Sequence, residues 1–156
     1  MNIWIMRHGQ AEPMAARDAD RALTAQGRAE VERMADLFKR GDLPFSAILA
    51  SPYVRAQQTA DIVRQQTGFR GAVGTAPWLT PDDSPVEVLQ FLSERDESGL
   101  LLVSHQPLVG QLISLLVDGH RQSPVPMPTA GLAYLQADIP AAGTAVLQGL
   151  WSPVDR

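Results

Sequence analysis

Short apolar runs that alternate with longer amphipathic stretches constrain the fold of this chain more than any other feature. The clearest run covers residues 100–103 and follows Gly99, and two similar runs cover residues 3–6 and 47–50. Continuous apolar runs of this length are typical of strands that are buried on both faces of a sheet. The sequence therefore predicts a sheet whose central strands are covered on each side.

Four stretches between and after these runs have the pattern of helices. In the first, apolar residues recur at offsets of 0, 3, 4 and 7 from Val31, which places them on one helix face. Thr24 is the predicted N-cap of the first helix and Ser51 that of the second, followed by a proline in the first turn. The predicted helices cover residues 24–40, 51–67, 85–95 and 107–117.

The order of these elements predicts the fold class. Strands that alternate with helices favour a three-layer α/β/α sandwich with a mostly parallel central sheet. Residues 132–137 and 145–151 are two further predicted strands, one of them an antiparallel edge, and the proline-rich residues 123–128 form a loop. No repeat or change of composition divides the chain, so residues 1–156 are predicted to be a single domain.

Composition excludes several kinds of functional site. The chain has no cysteine, which excludes disulfides, thiolate nucleophiles and cysteine-ligated metals. Its one lysine, Lys39, is not part of a Gly-Lys-Ser/Thr phosphate loop. A net charge of -4 without any basic run weighs against nucleic-acid binding. Since the sequence shows neither a secretory signal nor an apolar run of membrane-spanning length, a cytoplasmic protein without membrane contact is expected.

Polar residues that directly follow three of the predicted strands could carry chemistry. Arg7 and His8 follow the first strand, Ser51 the second, with Arg55 in the next helical turn, and His105 follows the third. Because parallel strands end at the same edge of a sheet, these side chains are expected to converge there. Arginine binds phosphate through paired hydrogen bonds, and neutral imidazole is a competent nucleophile near neutral pH. The sequence therefore predicts phosphoryl transfer to a histidine.

Other interpretations of these residues are weaker. A histidine or arginine at one strand end is more often structural, so the prediction depends on the convergence of three segments. His8 and His105 have no partner at the short spacing of metal ligands, and no metal site is predicted. His120 follows a helix and is predicted to be a surface residue.

The same residues belong to motifs that resemble those of the histidine phosphatase superfamily, which has the phosphoglycerate-mutase-like fold. Arg-His-Gly at residues 7–9 resembles its signature, and Leu-Thr-Ala-Gln-Gly at 23–27 resembles its Leu-Thr-x-x-Gly element. Residues 51–60 resemble its Ser-Pro-x-x-Arg-Ala-x-x-Thr-Ala block, and residues 104–107 the segment with the second histidine. The ordered set is most similar to small phosphohistidine phosphatases of the SixA type, which implies a minimal fold without a large lid insertion.

This resemblance implies a role for each matching residue. His8 would be the phosphorylated nucleophile, Arg7, Arg55 and His105 would hold the phosphoryl group, and no metal or other cofactor would be needed. Further residues would bind phosphate or support those that do, namely Gly9, Thr24, Ser51, Ser104 and Gln106. The implied partner is a protein that carries phosphohistidine, either the phosphotransfer domain of a sensor kinase or a phosphocarrier protein. A monomer is expected.

One departure from the family bears on the substrate. Many members have a glutamate that protonates the leaving oxygen, whereas residues 78–85 contain Asp82 and Asp83 and no glutamate. A leaving alkoxide needs a positioned acid, but an imidazole can be protonated near neutral pH without one. The departure favours phosphohistidine, with Asp82 or Asp83 as a possible proton donor. A small-molecule phosphomonoesterase of the same superfamily and a non-catalytic module that binds phosphate or a phosphoprotein remain as alternatives.

Overall fold

A computed structural model describes residues 1–155 and contains one six-stranded sheet with helices on both faces. The strands are β1 (Asn2–Arg7), β2 (Ala47–Ala50), β3 (Val73–Thr75), β4 (Gly99–Ser104), β5 (Leu132–Gln136) and β6 (Val146–Trp151). The helices are α1 (Ala25–Ala35), α2 (Val54–Thr67), α3 (Pro85–Ser93) and α4 (Leu108–Asp118), with short 3-10 turns at Asp18–Asp20, Pro77–Leu79 and Pro153–Asp155. No large insertion separates these elements.

The strands lie in the order β3-β2-β4-β1-β5-β6, and the first four are parallel. The predicted three-layer fold with a mostly parallel sheet is therefore confirmed. The predicted antiparallel edge is β6, which pairs antiparallel with β5, and β5 in turn pairs antiparallel with β1. The sequence pattern does not predict β3, since its three residues, Val-Gly-Thr, contain no apolar run.

The burial of β4 on both faces of the sheet explains why its sequence is continuously apolar. Successive side chains of a strand point to opposite faces of the sheet. Leu100 and Leu102 pack with α3 and α4, while Leu101 and Val103 pack with α1 and α2. All four side chains are fully buried, and burying a leucine or valine stabilises the fold by about 1.5–3 kcal/mol. The two helical layers thus hold β4 in the middle of the sheet, with its carboxyl end next to those of β1 and β2.

The largest differences from the predicted helix boundaries are at the end of α1 and at the start of α2. Helix α1 ends at Ala35, because the N–H groups of Leu37 and Phe38 donate to carbonyls three residues back and tighten the chain into turns. Helix α2 begins at Val54 with Tyr53 as its N-cap, so the prediction of Ser51 as N-cap is wrong. Ser51 directly follows β2, and its N–H donates to the Val103 carbonyl of β4.

The described helices are short. Among residues 1–155, no helix is both long enough and apolar enough to cross a bilayer. The proline-rich residues 123–128 form a loop, as predicted. This loop and the segment after β1 both lie beside the edge at which β1, β2 and β4 end, here called the carboxyl edge of the sheet.

Candidate active site

The carboxyl edge of the sheet carries an open cavity of about 400 Å³. The three strands that end there are neighbours in the order β2-β4-β1, so the segments that follow them lie side by side. The residues that line the cavity include Arg7, His8, Asp18, Arg21, Arg55 and Gln106. Within the described residues, no three His, Asp or Glu side chains are grouped so that they could hold a metal ion.

His8 is held in one tautomer by the backbone. Its ring is 6% exposed, and Nδ1 lies 2.7 Å from the carbonyl oxygen of Gly9. A carbonyl oxygen can only accept a hydrogen bond, so Nδ1 carries the proton and Nε2 carries the lone pair. The Nε–H of Arg55 donates to this Nε2 over 3.3 Å. The nitrogen that could attack phosphorus therefore faces a guanidinium group.

The charge state of His8 suits a nucleophile. Burial, as the largest cause, and the positive charges of Arg55, Arg7 and Arg21 together lower the pKa of His8 to about 4, against the opposing effect of the Gly9 hydrogen bond. Desolvation and nearby cations both disfavour the protonated ring. His8 is accordingly neutral near pH 7, and its Nε2 is available for attack.

Asp18 orients Arg55 by binding the guanidinium group on the side that faces away from His8. Arg55 lies in the first turn of α2, is 3% exposed, and donates from Nη1 to the Asp18 carbonyl over 2.7 Å and from Nη2 to the Asp18 carboxylate over 3.1 Å. The guanidinium carbon also lies 5.0 Å from the centre of the Tyr53 ring. These contacts leave the Nε edge directed at His8.

Arg7 brings a second guanidinium group to the cavity. Its Nη1 donates to the Met127 carbonyl over 2.9 Å, whereas its buried Nε has no partner among the described residues. Burial, and then the positive charge of Arg55, lower the pKa of Arg7. A bound anion would relieve the repulsion between the two arginines and accept a hydrogen bond from the free Nε–H.

His105 directly follows β4 and lies beside the His8 ring, although it is not itself one of the residues that line the cavity. It is 1% exposed, its Nε2 lies 2.7 Å from Ser51 Oγ, and its ring centre is 5.1 Å from that of His8. Its Nδ1 is buried and has no hydrogen-bond partner among the described residues. Burial, followed by His8 and Arg55, lowers the pKa of His105 to about 3. His105 is therefore neutral as well, with one ring nitrogen unused.

Gly9 and Thr24 shape the segment that follows β1. The Gly9 N–H donates to Thr59 Oγ1 over 3.0 Å, and a Cβ atom at Gly9 would lie 2.8 Å from a methyl group of Val31. Thr24 donates from its hydroxyl to Gln10 Oε1 over 2.7 Å and caps α1 by accepting from a backbone N–H. Both residues support His8 from outside the cavity lining.

The motif glycine at position 27 has a related function. A Cβ atom there would lie 2.1 Å from the Gln10 carbonyl oxygen, so only glycine lets α1 approach this backbone. Close approach of two backbones is a common reason for glycine in a motif. The Leu-Thr-x-x-Gly element thus fixes the chain directly after His8.

Ser104 and Gln106 hold the other side of the site. Ser104 Oγ donates to the Leu79 carbonyl over 2.7 Å, which ties the end of β4 to the turn at Pro77–Leu79. The Gln106 side chain lines the cavity, donates to the Val125 carbonyl over 3.1 Å and accepts from the Gly110 N–H over 2.8 Å.

The structure does not bring Asp82 and Asp83 to His8. Neither residue lines the cavity, to which their loop contributes Pro81. The Asp83 carboxylate accepts from the N–H and the hydroxyl of Thr80, over 2.8 and 2.6 Å, and Asp82 is exposed. A role for either as proton donor stays a prediction.

Asp18 and Arg21 line the cavity, although neither belongs to a motif that is visible in the sequence. Asp18 bridges Arg55 and Arg21, and the Arg21 Nε donates to it over 2.8 Å. These two hydrogen bonds lower the pKa of the Asp18 carboxyl, with the Arg21 bond as the largest cause. The position of Asp18 and Arg21 in the chain is the signal that could have predicted this placement. Residues 10–22 connect two motifs that both lie at the carboxyl edge, so this segment must pass the site.

Comparison with known proteins identifies the family. Residues 3–79 match the model of the histidine phosphatase superfamily (branch 1). The chain is 35% identical over 147 residues to phosphohistidine phosphatase SixA of Escherichia coli (strain K12), an alignment that covers 92% of this chain and 90% of the relative. The chain belongs to the histidine phosphatase superfamily.

Two further relatives support membership in this superfamily along the whole chain. The phosphohistidine phosphatase SixA homolog of Haemophilus influenzae is 34% identical, over 88% of this chain and 89% of the relative. The solved structure of the protein histidine phosphatase SixA complexed with tungstate matches with a TM-score of 0.85 at 30% identity and covers 99% of both chains. The resemblance drawn from the motifs of the superfamily is thus confirmed, together with the minimal fold.

Proposed function

We propose that this protein is a phosphohistidine phosphatase that acts on a partner protein through a phospho-His8 intermediate. The observation that carries the proposal is the state of His8, which is neutral and presents its Nε2 lone pair beside Arg55 in an open cavity. Relatives from two bacteria bear the name phosphohistidine phosphatase SixA. The related solved structure contains tungstate, a tetrahedral oxyanion like phosphate.

In the first step, His8 Nε2 attacks phosphorus. A new N–P bond forms while the P–N bond of the substrate breaks, and the departing imidazole takes a proton from solvent. Arg7 and Arg55 bind the phosphoryl oxygens and stabilise their charge, which is the main requirement of phosphoryl transfer. The hydrogen bond from Nδ1 to the Gly9 carbonyl stabilises the positive charge that His8 acquires.

In the second step, water attacks the phosphorus atom of phospho-His8. The N–P bond breaks, inorganic phosphate leaves, and Nε2 regains its lone pair. The same guanidinium groups serve both steps, since the phosphoryl group stays near one position while its partner changes from the substrate nitrogen to His8 Nε2 and then to the oxygen of water.

Two features favour phosphohistidine in a protein over a small phosphate ester. Asp82 and Asp83 lie outside the cavity lining, and the carboxyl that does line it, Asp18, has a lowered pKa because it is paired with Arg21 and Arg55. The described lining therefore offers no protonated carboxyl to an alkoxide near pH 7. No large insertion covers the cavity, which leaves room for a side chain that projects from a folded partner. The partner proposed is a phosphotransfer domain of a sensor kinase or a phosphocarrier protein.

Three substrates test the proposal. Initial rates of phosphate release would be compared for a phosphorylated phosphotransfer domain, p-nitrophenyl phosphate and a sugar phosphate. The kcat/KM for the phosphoprotein is expected to exceed that for the sugar phosphate by at least about a hundredfold, because a positioned acid, which the sugar phosphate needs, contributes about that factor. p-Nitrophenyl phosphate, whose phenoxide leaves without an acid, separates a general lack of activity from a leaving-group effect.

The alternatives make different predictions in the same assay. Rapid hydrolysis of the sugar phosphate that is abolished in Asp82→Ala would favour a small-molecule phosphomonoesterase. Binding of the phosphoprotein without phosphate release from any substrate would favour a non-catalytic module. Either result would contradict the proposed function.

A further inference from the structure

His105 has one bound and one unused ring nitrogen, and the structure indicates which of them carries the proton. A neutral imidazole has a single N–H donor and a single acceptor nitrogen. Nε2 is 2.7 Å from Ser51 Oγ, and Nδ1 is buried without a partner among the described residues. Both the burial of His105 and its lowered pKa, about 3, make the neutral ring the relevant form near pH 7.

The position of the proton follows from the hydrogen bonds of Ser51. Ser51 is fully buried, and its Oγ accepts from the Tyr53 N–H over 3.2 Å. In residues 1–155, His105 Nε2 is the one acceptor within hydrogen-bond distance of the Ser51 hydroxyl. If Nε2 carried the proton, Ser51 Oγ could accept from it, but the buried hydroxyl hydrogen would then lack an acceptor and the buried Nδ1 would lack a donor, so two buried groups rather than one would be unpaired. The hydroxyl therefore donates to Nε2, and the proton of His105 is on Nδ1.

Aromatic contacts fix the plane of this ring. The Tyr53 ring packs edge-on against His105, with the centres 4.9 Å apart and an angle of 66° between the planes. The same Tyr53 ring lies against the Arg55 guanidinium. Within the Ser-Pro-x-x-Arg block, Tyr53 thus contacts Ser51 through its backbone N–H, and both His105 and Arg55 through its ring.

We propose that Ser51 is a positioning residue that holds His105 in the Nδ1–H tautomer, so that this N–H can donate to a phosphoryl oxygen bound beside His8. A buried donor without an acceptor is rare in proteins and calls for a ligand. The nearby guanidinium groups of Arg55 and Arg7 favour an anionic oxygen as that ligand. The inference rests on the proposed function for the identity of the bound group as a phosphoryl group. The assignment of the His105 tautomer does not depend on that function.

Histidine-selective 15N labelling and NMR of the free wild-type protein test the tautomer directly. The expected result is a protonated Nδ1 and a bare Nε2 for His105, and a change at Nδ1 when tungstate is added. A protonated Nε2 in the free protein, or a His105 spectrum unaffected by saturating tungstate, would overturn the proposal. This measurement needs no variant and no turnover, so it is independent of whether phosphohistidine is the substrate.

Variants then test whether Ser51 sets the tautomer. In Ser51→Ala, His105 is expected to populate the Nε2–H form, and tungstate affinity is expected to fall about tenfold through loss of one hydrogen bond to a charged ligand. Ser51→Thr keeps the hydroxyl and should restore both properties. Ser114→Ala removes an equally buried hydroxyl outside the site and should change neither. An unchanged tautomer and an unchanged affinity in Ser51→Ala would contradict the role of Ser51.

Discussion

The segments that follow β1 and β4 each place a buried histidine at the carboxyl edge of the sheet, and the two imidazoles are anchored through opposite nitrogens. His8 binds a carbonyl oxygen through Nδ1, whereas His105 binds the Ser51 hydroxyl through Nε2. A carbonyl can only accept a hydrogen bond, so His8 keeps a lone pair for attack. A hydroxyl can also donate, which leaves His105 with an N–H for binding. The anchoring group, rather than the residue type, thus distinguishes the proposed nucleophile, His8, from the proposed binding residue, His105.

Removal of each histidine in turn gives the largest expected difference. His8→Ala should lose the phosphoenzyme and lower kcat by at least about three orders of magnitude, since the nucleophile is gone. His105→Ala should lower kcat by only about a hundredfold, the usual effect of losing one donor to a charged oxygen, and should still form phosphoenzyme. Rapid-quench kinetics with a 32P-labelled phosphotransfer domain would measure both.

The third histidine supplies the control for these variants. His120 is exposed and lies outside the cavity lining, so His120→Ala should retain the wild-type rate. If His105→Ala also lost the phosphoenzyme while His8→Ala kept it, the assignment of the two roles would be reversed.

The lowered pKa values of both histidines predict how stability depends on pH. The pKa is about 4 for His8 and about 3 for His105 in the folded protein, against about 6.5 in an unfolded chain. Between these values the unfolded chain binds more protons, so the free energy of unfolding falls as pH is lowered from about 6.5. At about pH 5 the expected loss is about 2 kcal/mol for each histidine.

Urea denaturation at about pH 7.5 and about pH 5 would measure this loss. The double variant His8→Gln, His105→Gln lacks both groups and should lose less stability between the two pH values than the wild type. Equal losses would show that the histidines are not held neutral by burial.

A smaller effect is expected for the residue that orients Arg55. Asp18→Asn removes the charge that binds the Arg55 Nη2, so the guanidinium can turn away from His8. The expected fall in kcat/KM is about tenfold, the value of one charge-assisted hydrogen bond. Asp20→Asn makes the same charge change in the same turn, but Asp20 pairs with Arg17 at the surface. Equal effects in the two variants would indicate a general electrostatic influence rather than positioning.

The sequence predicts much of this fold because its signals are local. The buried strand β4 is visible as a continuous apolar run, and the N-cap at Thr24 is visible as a hydroxyl ahead of an amphipathic stretch. The arrival of His8, Arg55 and His105 at one edge follows from their positions after parallel strands. Local signals fail where tertiary contacts decide, as at Ser51, whose hydroxyl bonds His105 Nε2 and the Tyr53 N–H while α2 begins only at Val54.

The rest of the site depends on contacts between distant parts of the chain. Asp18 and Arg55 are separated by 37 positions, and no local sequence pattern predicts that they pair. The two histidine tautomers depend on whether the facing oxygen belongs to a carbonyl or a hydroxyl, which only the folded arrangement reveals. Neither the Gly9 carbonyl at His8 nor the hydroxyl at His105 could be assigned from residue order alone.

The most direct test of the account is to find the nitrogen that carries phosphorus in the trapped phosphoenzyme. The protein, labelled with 15N-histidine, would be phosphorylated by a phosphotransfer domain, quenched under alkaline conditions that preserve phosphohistidine, and mapped by mass spectrometry and by 31P–15N coupling. The account predicts one phosphohistidine, at His8, with phosphorus on Nε2. Phosphorus on Nδ1 of His8 or on either nitrogen of His105 would contradict it.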